Sequence, residues 1–253
     1  MFATVLTFFQ IKDLEPLKPV LKEDDYFPMK ITIRSNFEEY CKLIKKGLIR
    51  NEFEILKKTQ FGHLLTFPKQ YQHSSQLMWY FVLRQIQTKK KKEMWMMVNS
   101  TPMRFSMEDY QMITGLNFTH VSDREKIKDE ASQNVRLATE FFGRKKINID
   151  NLVCELEKKP ARTKKINYDK VKTALLLFLA GVLFGYEKKT PIEDWIVGLV
   201  DDIEVFDRFD WGVESYKCTL AALRKDVKAK LEEHSKNKEK TYTFLGFVHA
   251  FQV

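Results

Sequence analysis

Glu93-Met94-Trp95-Met96-Met97-Val98-Asn99-Ser100-Thr101-Pro102-Met103-Arg104-Phe105-Ser106-Met107-Glu108-Asp109-Tyr110-Gln111-Met112-Ile113-Thr114-Gly115-Leu116 is the stretch that decides the fold class. Met94–Val98 is a short apolar run of strand length. Asn99-Ser100-Thr101-Pro102 has the composition of a turn, and Met103-Arg104-Phe105 returns as a second strand. Ser106 can then cap a helix, with Glu108 and Asp109 in its first turn, where carboxylates meet the positive end of the helix dipole. Gly115 supplies the stop. A β-hairpin that feeds straight into a helix points to an α+β chain.

Outward from this stretch the patterns are mostly helical. Ser35 or Asn36 caps a helix through about Leu48, and a second runs over Glu52–Lys58. Leu77, Tyr80, Phe81 and Arg84 recur at helical spacing behind the caps Ser74 and Ser75. Residues 117–132 are polar and read as a loop. Helices are predicted over Gln133–Phe142, Asp150–Lys158, Asn167–Gly185, Ile192–Asp201 and Val213–His234. Lys30–Arg34 alternates as a short strand would, and Tyr242–Val253 is apolar again. No internal repeat interrupts this order. The predicted architecture is mainly α with a small β-hairpin, a single compact helical domain in one or two lobes. Residues 1–34 form an N-terminal extension, residues 35–253 the domain, and 117–132 the internal seam.

At 253 residues, with 44% hydrophobic and 30% charged side chains, the chain can bury a substantial core. Its 20 phenylalanines sit at apolar positions of predicted helices and strands, which favours packing over a base-stacking surface. Three distant cysteines, Cys41, Cys154 and Cys218, make no zinc or redox motif and fit a reducing compartment. The apolar start, residues 1–9, lacks the basic leader of a signal peptide. Ala174–Tyr186 is well short of the ~20 apolar residues that cross a bilayer, so it reads as a buried helix. The net charge of +9 is compatible with an acidic partner.

The order of several short blocks resembles one family. They are Thr59-Gln60-Phe61-Gly62, Arg84-Gln85, Glu93-Met94-Trp95, Val98-Asn99, Pro102–Ser106, Ile113–Leu116, Phe206–Gly212 and Tyr242–Phe247. Together they are similar to the plant domain of unknown function numbered nineteen eighty-five, over about residues 35–253. The resemblance implies a helical protein of transposon-associated ancestry, with a distant likeness to plant mobile domains linked to the nucleus. Relatives often carry a protease domain of the SUMO-protease type, and none follows Phe251-Gln252-Val253.

No catalytic constellation is legible. A cysteine protease joins a thiolate to a histidine base, but His63, His73, His120, His234 and His249 are scattered and none sits in a protease signature with a cysteine. No phosphate loop, metal motif or cofactor motif is present; Gly181 and Gly185 lie in an apolar helix and suggest close packing. The acidic residues around Trp211, from Asp201 to Glu214, lack the spacing of a calcium loop and read as a solvated loop and helix start. The basic residues are more suggestive. Arg144, Lys145, Lys146, Arg162, Lys164, Lys165, Lys188 and Lys189 crowd one region of sequence, with Lys158-Lys159 between them and Lys89–Lys92 apart. If they converge they can bind phosphates by displacing counterions; spread out, they are a solvated face that keeps the chain soluble. Lys164-Lys165 and Lys89–Lys92 also match nuclear-import signals, as short basic runs often do.

The sequence therefore reads as a non-enzymatic interaction module of the nucleus, with the cytoplasm as the alternative compartment. Its partner is a protein or a nucleic acid, with no membrane, cofactor, metal or small-molecule substrate indicated. Two alternatives remain open. One is sequence-independent nucleic-acid binding through the basic region. The other is the non-catalytic part of a SUMO-protease-like protein whose catalytic domain is absent here.

Overall fold

The computed structural model describes residues 4–5, 17–66, 74–159, 165–237 and 240–251. In chain order the strands are β1 Thr4–Val5, β2 Lys30–Ile33, β3 Met94–Val98, β4 Thr101–Phe105 and β5 Thr241–Phe244. The helices are α1 Phe37–Gly47, α2 Arg50–Lys57, α3 Gly62–Leu65, α4 Ser75–Leu83, α5 Met107–Thr114, α6 Arg124–Ser132, α7 Ile149–Glu157, α8 Tyr168–Leu177, α9 Asp194–Leu199, α10 Ile203–Arg208, α11 Trp211–Leu223 and α12 Val227–Lys236. The fold is mainly helical with small β elements, as the sequence indicates.

The hairpin forms in the predicted place. β3 and β4 pair antiparallel with Trp95 opposite Arg104 and Met96 opposite Met103, and β1 adds to the far edge of β4. Asn99 and Ser100 both hold positive φ, the backbone that a two-residue hairpin turn requires. The returning strand therefore starts at Thr101, two residues earlier than predicted, and Pro102 pairs with Met97. Ser106 Oγ accepts from Asp109 N–H, while the Asp109 carboxylate accepts from Ser106 N–H at 2.8 Å. This reciprocal cap turns the chain into α5.

A second sheet has no local signal. β2 pairs parallel with β5, Ile31 opposite Tyr242, which joins residues 30–33 to 241–244 across the length of the chain. The preceding segment is stitched to the same body: Val20 N–H donates to Gln85 O and Gln87 N–H to Lys18 O, and Leu21 and Phe27 are buried.

The core is built on the apolar run that begins in α8. Asn167 caps it, accepting from the N–H groups of Asp169 and Lys170. The helix continues from Leu177 into a π-helical stretch, Phe178–Leu183, and all of its apolar side chains are fully buried. Gly181 lies under the Tyr40 ring, which a Cβ would approach to 2.7 Å, so its role is close packing. Among the described residues no helix is long and apolar enough to cross a membrane.

Several predicted elements differ, among them the helix expected over Gln133–Phe142, which forms only as a short π-helical stretch, Leu137–Phe141. The 117–132 loop contains α6, whose Ile127 and Ala131 lie one turn apart and turn inward against α9. Its other positions are polar, with Glu125, Lys126, Asp129 and Glu130 exposed, which gives it the composition of a loop. The predicted helix Val213–His234 is broken at Arg224–Asp226. Asp226 Oδ1 accepts from the N–H groups of Lys228 and Ala229 and starts a new helix, α12, without a glycine or proline to announce it.

Candidate functional site

An open cleft of about 820 Å³ runs along one face of α11. Val213, Tyr216, Lys217, Leu220, Ala221 and Arg224 line it at spacings of three and four, a single helical face. Lys91, Lys92, Met107, Phe118, His120 and Arg124 complete the lining. Two side chains of α11 and its C-cap fix the facing turn. Tyr216 Oη donates to Lys92 O at 2.7 Å, and Arg224 Nη1 donates to Lys90 O at 3.1 Å and also to Lys91 O. The backbone of the lysine run is thus bound to the helix while the Lys91 and Lys92 side chains stand in solvent.

Charge in the cleft is unbalanced. Five cations line it, Lys91, Lys92, Arg124, Lys217 and Arg224, against one carboxylate, Asp210. Asp210 is buried and ion-paired to Arg124 at 3.0 Å, and Arg124 also meets Glu214 at 2.8 Å. Lys217 pairs with Glu214 on the helix surface.

The basic residues read from sequence divide into two groups. An antiparallel bridge joins Asn148 to Pro191, with Ile192 N–H donating to Ile147 O and Asp150 N–H to Lys188 O. It brings Arg144, Lys145, Lys146, Lys188 and Lys189 to one corner, all exposed, with Lys146 ion-paired to Asp194. Lys158 stands beyond the far end of α7, about 13 Å of helix away. The exposed Lys165 precedes α8 on that far side, where Lys170 Nζ donates to Lys158 O at 3.1 Å. Arg162 and Lys164 lie outside the described residues, as does His73.

The sequence blocks converge on architecture. Gln60 N–H donates to Asp207 Oδ1 at 2.6 Å, its amide donates to the carbonyls of Asp207 and Phe209, and its Oε1 accepts from Asn117 N–H at 3.0 Å. Asn117 Nδ2 donates to Arg208 O, and Asn117 O accepts from Gly212 N–H. A Cβ on Gly62 would lie 2.0 Å from Lys57 O, and one on Gly212 would lie 2.2 Å from the Phe118 ring. The Thr59–Gly62, Gly115–Asn117 and Phe206–Gly212 segments are thus one hydrogen-bonded junction at the start of α11, the helix that walls the cleft.

A family model described as domain of unknown function (DUF1985) matches residues 82–222, more than half of the chain. The chain belongs to the DUF1985 family. No curated protein and no solved structure matches it. The DUF1985 segment contains the hairpin, α5 to α10 and nearly all of α11, so it holds all the cleft residues named here except Arg224.

Two carboxylates of the DUF1985 segment, Asp201 and Asp202, serve as structural partners. Asp202 caps α10, accepting from Glu204 and Val205 N–H. Asp201 accepts from Arg136 Nε at 2.8 Å, Arg136 Nη2 at 2.6 Å, Lys172 Nζ at 2.8 Å and Asn134 Nδ2 at 3.2 Å. Burial pushes its carboxyl up, but the bonds from Arg136, Lys172 and Asn134 outweigh that and hold it at about 2. Because the folded value lies below the ordinary one, the stabilisation is complete above about pH 4 and disappears as pH falls toward 2. Urea unfolding at pH 3 and pH 6 should show Asp201→Asn losing about 2 kcal/mol at the higher pH and roughly half of that at the lower. An equal loss at both would sink the assignment.

Among the described residues no group of three or more His, Cys, Asp or Glu is placed to hold a metal ion. Burial pushes the Cys41 thiol up to about 12. Burial, with Glu193 and Glu214 nearby, pushes Cys218 up to about 11. Both are protonated at neutral pH, and Cys218 Sγ points at Phe184 O. Cys154 is exposed. His249 packs against Phe37 and Phe247, and His234 against Phe27.

The cleft was not found from sequence because its walls come from residues 91–92, 107, 118–124 and 213–224. One signal was available: Lys217 and Arg224 are seven apart, so on a helix they share a face with Val213, Leu220 and Ala221.

Proposed function

We propose that this protein is a non-enzymatic interaction module, of transposon-associated origin, that tethers a partner in the nucleus. The observation that carries this reading is the α11 cleft. An apolar floor is surrounded by cations whose supporting backbone is hydrogen-bonded in place, so a recognition surface stands ready before any partner arrives. The protonated state of Cys41 and Cys218 supports a role without a thiolate nucleophile.

Nucleic-acid binding is the second reading, favoured by the corner that collects Arg144, Lys145, Lys146, Lys188 and Lys189. One experiment separates the two. The purified chain is used to enrich partners from nuclear extract with and without nuclease, alongside a titration with labelled duplex DNA at low and physiological salt. A module retains a defined protein after nuclease treatment. A nucleic-acid binder loses its partners to nuclease, binds DNA with steep salt dependence, and weakens about tenfold or more when Lys145, Lys146, Lys188 and Lys189 become glutamate. A chain that retains no protein and binds no DNA overturns both.

A further inference from the structure

The α11 cleft combines three features that together specify a ligand. Met107, Phe118, Val213 and Ala221 leave apolar surface accessible along its floor. Lys91, Lys92 and Arg224 edge it with positive charge, Lys217 stands beside its ion-pair partner Glu214, and the one lining carboxylate, Asp210, is already paired to Arg124. The lining positions of the wall run from Val213 to Arg224, about 16 Å of helix, close to three turns.

A nucleic acid uses only part of this. Single strands bind by stacking bases on exposed aromatic faces. Tyr216 is 1% exposed with its hydroxyl committed to Lys92 O, and Phe118 sits edge-on to Tyr110 above Gly212. Besides Tyr216 the lining offers the half-buried Phe118 and the small imidazole of the exposed His120, and a phosphate backbone would leave the apolar floor uncovered. A helix with an apolar stripe and acidic flanks uses both floor and rim.

We infer that the cleft docks an acidic amphipathic helix of a protein partner, its apolar stripe on Met107, Val213 and Ala221 and its carboxylates toward Lys91, Lys92, Lys217 and Arg224. The inference rests on the interaction-module reading and names its partner. Arg224 has two duties, closing the rim and pinning the Lys90–Lys91 backbone, so the cleft is tested through other residues.

The test is fluorescence anisotropy of the full chain with a labelled peptide of about twelve residues, leucine and phenylalanine at i, i+3, i+4 and i+7 and glutamate elsewhere. A scrambled peptide of the same composition and a labelled DNA duplex run in parallel at physiological salt. The patterned peptide is expected to bind at least about tenfold more tightly than the scrambled one. Lys91→Glu with Lys92→Glu and Lys217→Glu should weaken it by about tenfold or more, and Ala221→Trp should block it by filling the floor. Both variants alter exposed positions, and unchanged circular dichroism and Tm would confirm that they fold. Equal binding of patterned and scrambled peptides, indifference to Ala221→Trp, or tighter DNA binding lost in the same triple variant would each overturn the assignment. If the peptide fails while Ala221→Trp still retains a nuclease-resistant protein partner, the module reading stands and the docking site lies elsewhere. If no protein is retained either, both fall.

Discussion

Gly198→Ala is expected to destabilise the protein by about 3 kcal/mol, against the sign of helix propensity. Alanine in a helix interior is ordinarily favoured over glycine by about 1 kcal/mol. Here the added Cβ would lie 1.8 Å from Ala131 O and 2.9 Å from Asn134 O. Both obstacles are backbone, so no rotamer change can clear them. Ala131 O and Gly198 O are moreover both engaged with Asn134, the first accepting its N–H at 3.0 Å and the second its Nδ2 at 3.2 Å. Relief requires α6 and α9 to separate, which uncovers Ile127 and Ile196 and pulls on the Arg136–Asp201 ion pair. In a chain of this size the loss corresponds to roughly 6–12 °C in Tm. Differential scanning fluorimetry decides it: a Tm that is unchanged or raised would mean that the two helices do not pack backbone to backbone.

That contact also shows where sequence reading reached its limit. The hairpin and α5 were legible because every cue is local: an apolar run, a turn, a serine cap, acidic first-turn residues and a glycine stop lie within 24 consecutive residues. The apolar run of α8 was equally plain, since a stretch that apolar and that short can only be core. The helix α6 was not, because it buries a narrow stripe, Ile127 and Ala131, and its partner glycine lies 67 residues away. The β2–β5 pair spans more than two hundred residues and neither strand shows which partner it will find. The break before α12 depends on an aspartate acting as a cap where its neighbours still continue a helical pattern.

Short motifs and the cleft residues differ in the same way. Gln60, Gly62 and Gly212 stand out within short motifs, and the structure uses them for hydrogen bonds and close approaches. The cleft residues stand out far less, because a lysine run and a helix with mixed charges look like ordinary surface. Only the fold, by tying Lys90, Lys91 and Lys92 carbonyls to Arg224 and Tyr216, turns that surface into the lining of one cleft. The motifs are what hold α11 in position, and α11 is what carries the candidate recognition face.

Trp211→Ala tests that dependence, and its expected cost is the larger of the two: more than about 4 kcal/mol. Trp211 is fully buried, and it packs on Phe206 at 4.9 Å, on Phe209 at 4.7 Å and, stacked at 16°, on Trp195 at 5.5 Å. Its Nε1 donates to Phe206 O at 2.7 Å. Truncation to alanine leaves a cavity the size of an indole and strips a buried carbonyl of a partner. The first term alone costs about 3–5 kcal/mol. The second adds about 1–3 kcal/mol, less whatever the carbonyl recovers from water entering the cavity. Trp211→Phe keeps most of the ring contact and loses the hydrogen bond, so it should fall between alanine and wild type. Since Trp211 is the first residue of α11, the alanine variant should also loosen the helix that walls the cleft, and the patterned peptide should bind it more weakly even at temperatures where it remains folded. Urea titration of the three proteins checks the order. Phenylalanine and alanine variants of equal stability would show that the cavity, and with it the aromatic cluster, contributes little, and the junction's stability would then have to come from the Gln60 and Asn117 hydrogen bonds.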